Sequence, residues 1–380
     1  MILDYETLKL VWWVLVGVLL IGFAITDGFD MGTGALLPFL GKNDEERRVI
    51  INTVGPHWDG NQVWFITAGG AIFAAWPAVY AAAFSGFYIA MLLVLFALFF
   101  RPVGFDYRSK IADPRWRSTW DWGLFVGGAV PALLFGVAFG NLLLGVPFQF
   151  DDMLRPTYTG SFFGLLRPFA LLAGVVSLSM LVMHGAVWLQ WRTTGAIEQR
   201  ARTAARLAAV VMIVSFALAG VWLAHGIDGF RIVSEPAHGA LPNPLGKSVA
   251  IVAGAWLDNY RLYPWMKAAP IVAFLGALGV LLFSTAKKST LAFICSALTM
   301  AGVILTAGFS MFPFIMPSDT NPTSSLTLWD ASSSHLTMTI MFWAAVIFVP
   351  IILAYTTWTY RVMWGKLTVE YVRDNSHSAY

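Results

Sequence analysis

The sequence predicts an all-α integral membrane protein. Hydrophobic residues make up 58% of its 380 residues, charged residues make up only 12%, and the mean hydropathy is +0.69. A soluble domain keeps its surface wet with about 25% charged residues, so this chain must place most of its surface in lipid. The single cysteine, Cys295, excludes a disulfide framework and a paired-cysteine metal motif. The chain has no glycine-rich nucleotide loop, and no nucleic-acid partner is expected.

Nine apolar runs predict nine transmembrane helices. A helix needs about 20 apolar residues to cross about 30 Å of hydrocarbon. The runs lie at residues 10–39, 60–77, 79–100, 120–146, 163–190, 205–226, 266–285, 290–315 and 336–361. Only the short segment WPAVY joins the second run to the third, and we interpret it as a tight turn.

Lysine and arginine residues predict the orientation, because cytoplasmic loops collect them. Alternate loops at 40–57, 101–118, 192–206 and 286–289, together with the C-terminal tail, hold 17 of the 24 basic residues. Segment 316–335, on the other side, holds none. We therefore expect a periplasmic N-terminus and a cytoplasmic C-terminus.

The longest connection, residues 227–263, is expected on the external side. Its many proline, glycine and asparagine residues predict an ordered surface loop. We expect at most one short helix within it, at KSVAIVAGAWL. Further on, the sequence WDASSSHLT is typical of a helix start, with Asp330 and the serines available as N-caps.

Several charged or ionisable residues interrupt the apolar spans, all near the cytoplasmic side of this topology. They are Asp27 and Asp30 in ITDGFDMG, His57 and Asp59 in HWDGNQ, Arg101 and Asp106 in FFRPVGFDYR, and Asp121. A carboxylate in the bilayer costs about 2.5–3.5 kcal/mol on insertion scales and usually faces a bundle interior or a wet cavity. Clustering on one side therefore indicates a hydrophilic inlet from the cytoplasm.

Simpler structural roles would also account for these residues. Asp59, with Gln62 three residues later, fits a capping box at a helix start. Asp27 and Asp30 share a helix face, where they would hydrogen-bond a neighbouring helix or pair with Arg101. Arg101 would also serve as an ordinary basic anchor at the membrane surface. Both hypotheses stay open, because a capping carboxylate can also carry protons.

Histidines are too few inside the spans to hold several hemes. A bis-histidine or histidine–methionine heme b in a helical bundle needs axial ligands that face inward at matched depth. Only His184 lies clearly within a span. We interpret it as a hydrogen-bonded packing residue in preference to a heme ligand, and we expect no metal site in this chain.

Seven stretches of the sequence resemble subunit II of the cytochrome bd quinol oxidases. In chain order they are ITDGFDMG, PHWDGNQVWFITAGGAIFAAWP, YAAAFSGFY, FFRPVGFDYRSK, GVAFGNLLLGVPF, FPFIMPS and SLTLWDASSSHLT. They extend from the first span to the last, so the resemblance covers nearly the whole chain. The length and the number of spans also suit this family.

The resemblance implies two four-helix bundles plus a peripheral helix. The first bundle would lie in residues 1–150, and the second bundle and the peripheral helix in residues 151–380. It also implies a terminal oxidase of the bacterial inner membrane that oxidises ubiquinol or menaquinol and reduces oxygen to water. Such an oxidase generates proton motive force without pumping.

The resemblance places the redox cofactors in a partner. Low-spin heme b, high-spin heme b and heme d are carried by a heme-bearing subunit I, so this chain is expected to hold no complete active site. Ubiquinone is the expected substrate, and a structural quinone in this chain is implied without any residue that can be assigned to it. Small single-span accessory subunits and membrane lipids are the other implied partners.

The resemblance further implies that this chain supplies part of a proton inlet. Asp59 and Asp106 are the leading members, and Arg101 is expected to tune their charge because a nearby cation favours an ionised carboxylate. Further members of the pathway are Asp27, Asp30 and His57.

Two other functions would also use acids inside the membrane. A proton-coupled transporter would place them near the middle of the bilayer in interrupted helices of two matched halves. The acids here lie near one side, which counts against a transporter. A purely structural subunit would use them as caps and as hydrogen-bonding partners between helices.

Overall fold

The computed structural model describes residues 3–375 and consists mainly of helices. The helices are α1 (Tyr5–Leu40), α2 (Asp44–Asn52), α3 (Trp58–Ala75), α4 (Pro77–Gly86), α5 (Tyr88–Leu98), α6 (Phe100–Tyr107), α7 (Pro114–Leu144), α8 (Pro168–Arg192), α9 (Gly195–Gly226), α10 (Asp258–Leu262), α11 (Ala268–Thr285), α12 (Ser289–Met311), α13 (His335–Val362) and α14 (Val369–Asp374). Several start at a polar cap, because Asp4, Asn43 and Asp113 each accept a hydrogen bond from a first-turn amide.

Three short antiparallel hairpins lie in the connections. They are β1 (Phe148–Phe150) with β2 (Pro156–Tyr158), β3 (Asp228–Ser234) with β4 (Ser248–Ala253), and β5 (Phe314–Met316) with β6 (Leu326–Thr327). The helix predicted within KSVAIVAGAWL is wrong, since most of this stretch forms β4 and only Ala255–Leu257 makes a 3₁₀ turn. Val249, Ile251 and Val252 favour extended backbone, and β3 provides the pairing partner.

Eight helical segments within the described residues are long and apolar enough to cross a membrane. They are Tyr5–Leu40, Tyr88–Lys110, Pro114–Leu144, Pro168–Arg192, Gly195–Gly226, Pro264–Thr285, Ser289–Met311 and His335–Val362. The remaining predicted span corresponds to α3, which has a polar first turn. It runs antiparallel to α1, since Asn61 bonds Asp30 near one end and Ala75 shares an apolar cluster with Trp12 near the other. The chain is therefore a multi-pass membrane protein.

The start predicted for the third span is wrong. Residues 77–86 form the separate helix α4, and the span itself runs from Tyr88 to Lys110. Proline is favoured at the first helical position, so Pro77 begins α4 directly after Trp76. α4 packs against β2. The segment WPAVY is consequently a link between two helices and the start of α4.

The helices pack as two groups with one helix outside them. The first group contains α1, α3, α5, α6 and α7, and the second contains α8, α9, α11 and α12. α13 packs at the periphery against α1 and α3, and it leaves most of its large apolar side chains exposed. This agrees with two bundles plus a peripheral helix. A division into two units near residue 150 stays a prediction, because α1 and α7 both pack closely along α8.

α1 lies very close to two neighbouring helices. Gly32 faces the backbone carbonyl of Leu181 on α8, and a methyl group at Gly32 would lie 2.1 Å from that oxygen. Gly128 on α7 faces the carbonyl of Met31, where a methyl group would lie 2.3 Å away. Such small residues let helix backbones approach closely in a membrane. They leave no room for lipid on these sides of α1.

The two ends of the bundle differ in charge. We call one end the basic end, because it holds the arginine- and lysine-rich loops 40–57, 101–118, 192–206 and 286–289. The opposite end, which holds the three hairpins, is called the loop end.

A buried lysine attaches the long connection 227–263 to α1 at the loop end. The Lys9 ammonium donates to the backbone carbonyls of His238 at 2.8 Å, Ala240 at 3.2 Å and Trp329 at 2.7 Å. All three N–H groups therefore have acceptors, as a buried ammonium requires. Residues 227–263 are an ordered connection, as predicted.

A second buried lysine pairs with Asp330 at this end. Lys247 Nζ lies 2.8 Å from Asp330 Oδ2, and Asp330 also accepts hydrogen bonds from the amide and hydroxyl of Thr327. Burial raises the pKa of Asp330 and lowers the pKa of Lys247, and each partner's charge opposes these shifts. Asp330 is therefore not the cap of α13; Ser334 is.

Candidate functional site

Two buried carboxylates lie on the first span. Asp27 and Asp30 are 0% and 1% exposed and lie one turn apart on α1. Their spacing places both side chains on one face of the helix, as predicted. α6 and α3 cover this face and supply the partners of both carboxylates.

Arg101 on α6 forms a bidentate ion pair with Asp27. Its Nη1 donates to Asp27 Oδ2 over 2.9 Å, and its Nη2 donates to Oδ1. The same Nη2 lies 4.0 Å from Asp30 Oδ2, and the Trp58 ring lies 5.4 Å from the guanidinium carbon. Arg101 is 2% exposed. The predicted pairing with Asp27 is confirmed, and the alternative of a basic anchor at the membrane surface is wrong.

Asp30 is held mainly by uncharged groups. Asn61 Nδ2 donates to Asp30 Oδ2 over 2.7 Å, and the Tyr360 hydroxyl donates to Asn61 Oδ1 over 2.6 Å. His57 Nδ1 lies 3.9 Å from Asp30 Oδ1 and 3.4 Å from Asn61 Nδ2. A continuous line of polar groups thus runs from α13 through α3 to α1.

The charges of this cluster do not balance if both carboxylates are ionised. Among the described residues, Arg101 carries the one guanidinium or ammonium group within 4.0 Å of Asp27 or Asp30. Asp30 Oδ1 accepts no hydrogen bond within residues 3–375. Buried polar atoms are nearly always satisfied, so this oxygen marks a place for a proton or a water molecule. The cluster can hold an exchangeable proton beside a fixed ion pair.

Asp59 and Asp106 lie outside the buried cluster, on the surface of the chain at the same end. Both side chains are exposed, and neither forms a hydrogen bond or ion pair in the part of the chain that the structure describes. The predicted capping box is wrong, because α3 begins after His57 and no side chain caps it. Asp59 lies close enough to act electrostatically on Arg101.

The depth of Asp59 follows from its neighbour Asn61. Asn61 bonds Asp30, which lies ten residues before the end of α1. At about 1.5 Å per residue, that is about 15 Å along the helix axis. Asp59 therefore lies near this depth, at the start of α3, with its carboxylate exposed on the outer surface of the chain.

Asp121 belongs to a separate network at the basic end. It lies 2.7 Å from Arg47 Nη1 and accepts from Arg108 Nε over 2.5 Å. Arg108 Nη2 also lies 3.0 Å from Asp44 Oδ1. Asp121 is 1% exposed and has two cationic partners. Its role is to join α2 and α7 to the segment after α6.

His184 is fully buried, and both of its ring nitrogens are engaged. Nδ1 lies 2.7 Å from Ser296 Oγ, and Nε2 lies 2.9 Å from the backbone carbonyl of Ile25. The Phe29 and Phe293 rings pack against the imidazole. These are the contacts of a packing histidine.

Two members of the cluster, Asn61 and Tyr360, were not predicted from the sequence. Asn61 lies in the HWDGNQ motif, and an amide beside a histidine and an acid was a signal that could have identified it. Tyr360 gave no such signal, because it lies in an ordinary apolar-aromatic stretch near the C-terminus. It meets Asn61 only because α13 packs on α3.

The fold and the site together define a multi-pass α-helical membrane protein with ionisable groups inside the bundle. Groups of this kind usually mark a path for protons, ions or substrate. Residues 8–363 match the sequence model of the family described as cytochrome bd terminal oxidase subunit II. The chain belongs to this family.

Two relatives support this assignment over the full length. The chain is 59% identical over 378 residues to cytochrome bd-I ubiquinol oxidase subunit 2 of Escherichia coli (strain K12), covering 100% of both chains. It is 33% identical over 366 residues to cytochrome bd ubiquinol oxidase subunit 2 of Bacillus subtilis (strain 168), covering 94% of this chain and 96% of the relative.

A solved structure has the same fold. A chain in the bd oxidase structure from Geobacillus thermodenitrificans matches with a TM-score of 0.70, over 94% of this chain and 98% of that one. The sequence identity is 15%, so the likeness concerns the fold alone.

Proposed function

We propose that this chain works beside a heme-bearing subunit I in a quinol oxidase of the bacterial inner membrane. Its relatives in Escherichia coli and Bacillus subtilis are named as ubiquinol oxidase subunits. The complex would oxidise ubiquinol, reduce oxygen to water and generate proton motive force without pumping. Low-spin heme b, high-spin heme b and heme d would be held by subunit I. The engagement of both nitrogens of His184 supports this division.

The basic end is proposed to face the cytoplasm. It collects most lysine and arginine residues of the loops, which is the usual mark of the cytoplasmic side. The N-terminus would then be periplasmic and the C-terminus cytoplasmic. Small single-span accessory subunits and a structural quinone remain part of the proposal without assigned residues.

The chain is further proposed to supply part of the proton inlet, and one observation carries this step. Asp59 is exposed on the outer surface of the chain, two residues before the Asn61 that bonds Asp30, and forms no hydrogen bond or ion pair in the described chain. A carboxylate facing lipid is costly, so this surface must meet water or another protein. We assign that place to the contact with subunit I.

The buried groups have distinct roles in this hypothesis. Asp27 and Arg101 form a fixed pair, because both oxygens of Asp27 are bonded to the guanidinium. Asp30 carries the exchangeable proton, since its Oδ1 is free within the described residues and His57 lies 3.9 Å from it. Asp59 and Asp106 would receive protons at the surface towards subunit I.

Asp59→Asn and Asp106→Asn test the proton role in the purified complex. We expect each variant to slow quinol-driven oxygen consumption at least tenfold, which is a smaller loss than the usual contribution of a general acid–base group, about 10²–10⁴. Heme content, read from the absorption spectrum, should not change. Glu370→Gln is the matched control, since Glu370 is an exposed acid in the first turn of α14 and lies outside the cluster.

The outcomes separate the proton role from a structural one. Normal turnover in both variants would favour a structural subunit, a role that the paired Asp27 and Asp121 already have. Loss of heme absorbance would indicate damaged assembly. In that case Asp59→Glu, which keeps the carboxylate, should restore turnover if the acid carries protons.

A further inference from the structure

A groove on the outside of the bundle lies apart from the buried cluster around Asp27 and Asp30. It has a volume of about 430 Å³ and runs between the last turn of α1 and the first turns of α9, at the basic end. Its walls combine charged, polar and apolar side chains, namely Phe39, Lys42, Gln199, Arg200, Thr203 and Leu207.

The charged side of the groove has an excess of positive charge. Arg200 donates to the Leu40 carbonyl over 2.5 Å and to Glu46 Oε1 over 2.5 Å, so its position is fixed and its charge is partly compensated. Lys42 is exposed and forms no ion pair within residues 3–375; it acts on Glu46 only at longer range. Arg206 has no acidic partner in the described chain either, and its Nη2 donates to Thr203 at the rim. Lys42 at the groove and Arg206 beside it thus form no ion pair within the described residues.

An apolar stripe continues from the groove along α9. Its side chains are all exposed: Leu207, Val210, Val211, Val214, Leu218 and Val221. They recur at helical spacing over 14 residues, which is about 21 Å at 1.5 Å per residue. Phe39, which is 50% exposed and held by Trp122 and Phe125, closes the groove on the α1 side.

These features match one kind of ligand. A soluble anion would contact the cations and not the stripe, which lies on a membrane-spanning helix, and a quinone would use the stripe and leave the cations unpaired. We propose that the groove binds an anionic phospholipid, with the headgroup phosphate at Lys42 and Arg206 and an acyl chain along α9. Basic pockets between helices at the cytoplasmic membrane surface have this recognition chemistry. The proposal depends on the membrane-spanning fold and not on the proton inlet.

The test measures lipid binding to the delipidated, intact oxidase complex by native mass spectrometry. Phosphatidylglycerol and phosphatidylcholine are titrated separately into the wild-type complex and into Lys42→Gln/Arg206→Gln. Each positive charge near an anionic lipid contributes about fivefold, so the double variant should bind its tightest phosphatidylglycerol about thirtyfold more weakly. Phosphatidylcholine binding should change little.

Lys110→Gln/Arg115→Gln is the matched control. Both residues are exposed at the basic end, away from the groove, and their substitution should leave phosphatidylglycerol affinity at the wild-type value. Heme absorbance checks that each variant assembles. If the double variant does not assemble, the two single variants should each show about a fivefold loss.

Three results would overturn the proposal. One is wild-type phosphatidylglycerol affinity in the variants at Lys42 and Arg206. Another is equal affinity of the wild-type complex for the two lipids. The third is displacement of phosphatidylglycerol by millimolar inorganic phosphate, which would identify a site for the free anion.

Discussion

Arg101→Met should strongly destabilise the folded complex. The substitution leaves Asp27 fully buried without the two N–H groups that now bond its oxygens. Breaking a buried ion pair by removing one partner costs about 3–5 kcal/mol. That range corresponds to a change of roughly 150- to 5,000-fold in the ratio of folded to unfolded protein.

A second substitution shows whether unpaired charge causes the loss. Arg101→Met/Asp27→Leu removes both charges and keeps apolar side chains of similar volume. Replacing a complete buried pair in this way is often neutral or even stabilising. We therefore expect the double variant to recover most of the stability lost in Arg101→Met.

Thermal unfolding of the purified complex in one detergent, monitored by circular dichroism, ranks the variants by stability. The control is Arg115→Met, an exposed site at the same end, which should stay within about 0.5 kcal/mol of wild type. If Arg101→Met matched wild type, the pair would not be buried as described. If the double variant were as unstable as Arg101→Met, the loss would not come from an unpaired carboxylate.

Three further predictions use the same complex. Gly32→Ala should cost at least about 1–3 kcal/mol in the thermal assay, because its methyl group would meet the Leu181 carbonyl at 2.1 Å, whereas Gly220→Ala has open space and should be neutral. His184→Leu should lower stability by about 1–3 kcal/mol, because it removes the two buried hydrogen bonds that the imidazole makes with the Ile25 carbonyl and the Ser296 hydroxyl. Its absorption spectrum should keep every heme band, and loss of one heme would identify His184 as a ligand after all. The third prediction concerns Glu46 in α2. Burial raises the pKa of its carboxyl, but hydrogen bonds from Arg200 and from the Lys42 amide outweigh burial and lower this pKa. Its stabilising contribution is therefore present above the ordinary value of 4.5 and is lost as pH falls through the folded-state pKa. The stability difference between wild type and Glu46→Gln should accordingly be present at neutral pH and disappear in acid.

Hydropathy predicted most of the spans because lipid requires a long apolar run from every crossing helix. It misplaced the start of the third span at 79 because Pro77 begins a separate helix within one continuous apolar stretch. Hydropathy sums the transfer energies of the residues in a run, so it does not detect a helix boundary inside that run. The β4 strand was missed for a related reason, since its conformation depends on pairing with β3 elsewhere in the loop.

The candidate site was predicted in part. The i, i+3 spacing of Asp27 and Asp30 and the nearby arginine were sufficient to propose their pairing with Arg101. The sequence could not distinguish a buried acid from an exposed one, so Asp59 ranked above Asp30. Which face of α3 turns inward depends on contacts with α1 that are set by packing.

The bond between Tyr360 and Asn61 has a consequence for biogenesis. The two residues are 299 positions apart, and Tyr360 lies in the last membrane helix to leave the ribosome. Until that helix inserts, the amide oxygen of Asn61 lacks this donor and the polar pocket around Asp30 stays open on one flank. Chains truncated before this helix would therefore display an unfinished hydrophilic patch within the bilayer, which membrane quality-control proteases could recognise.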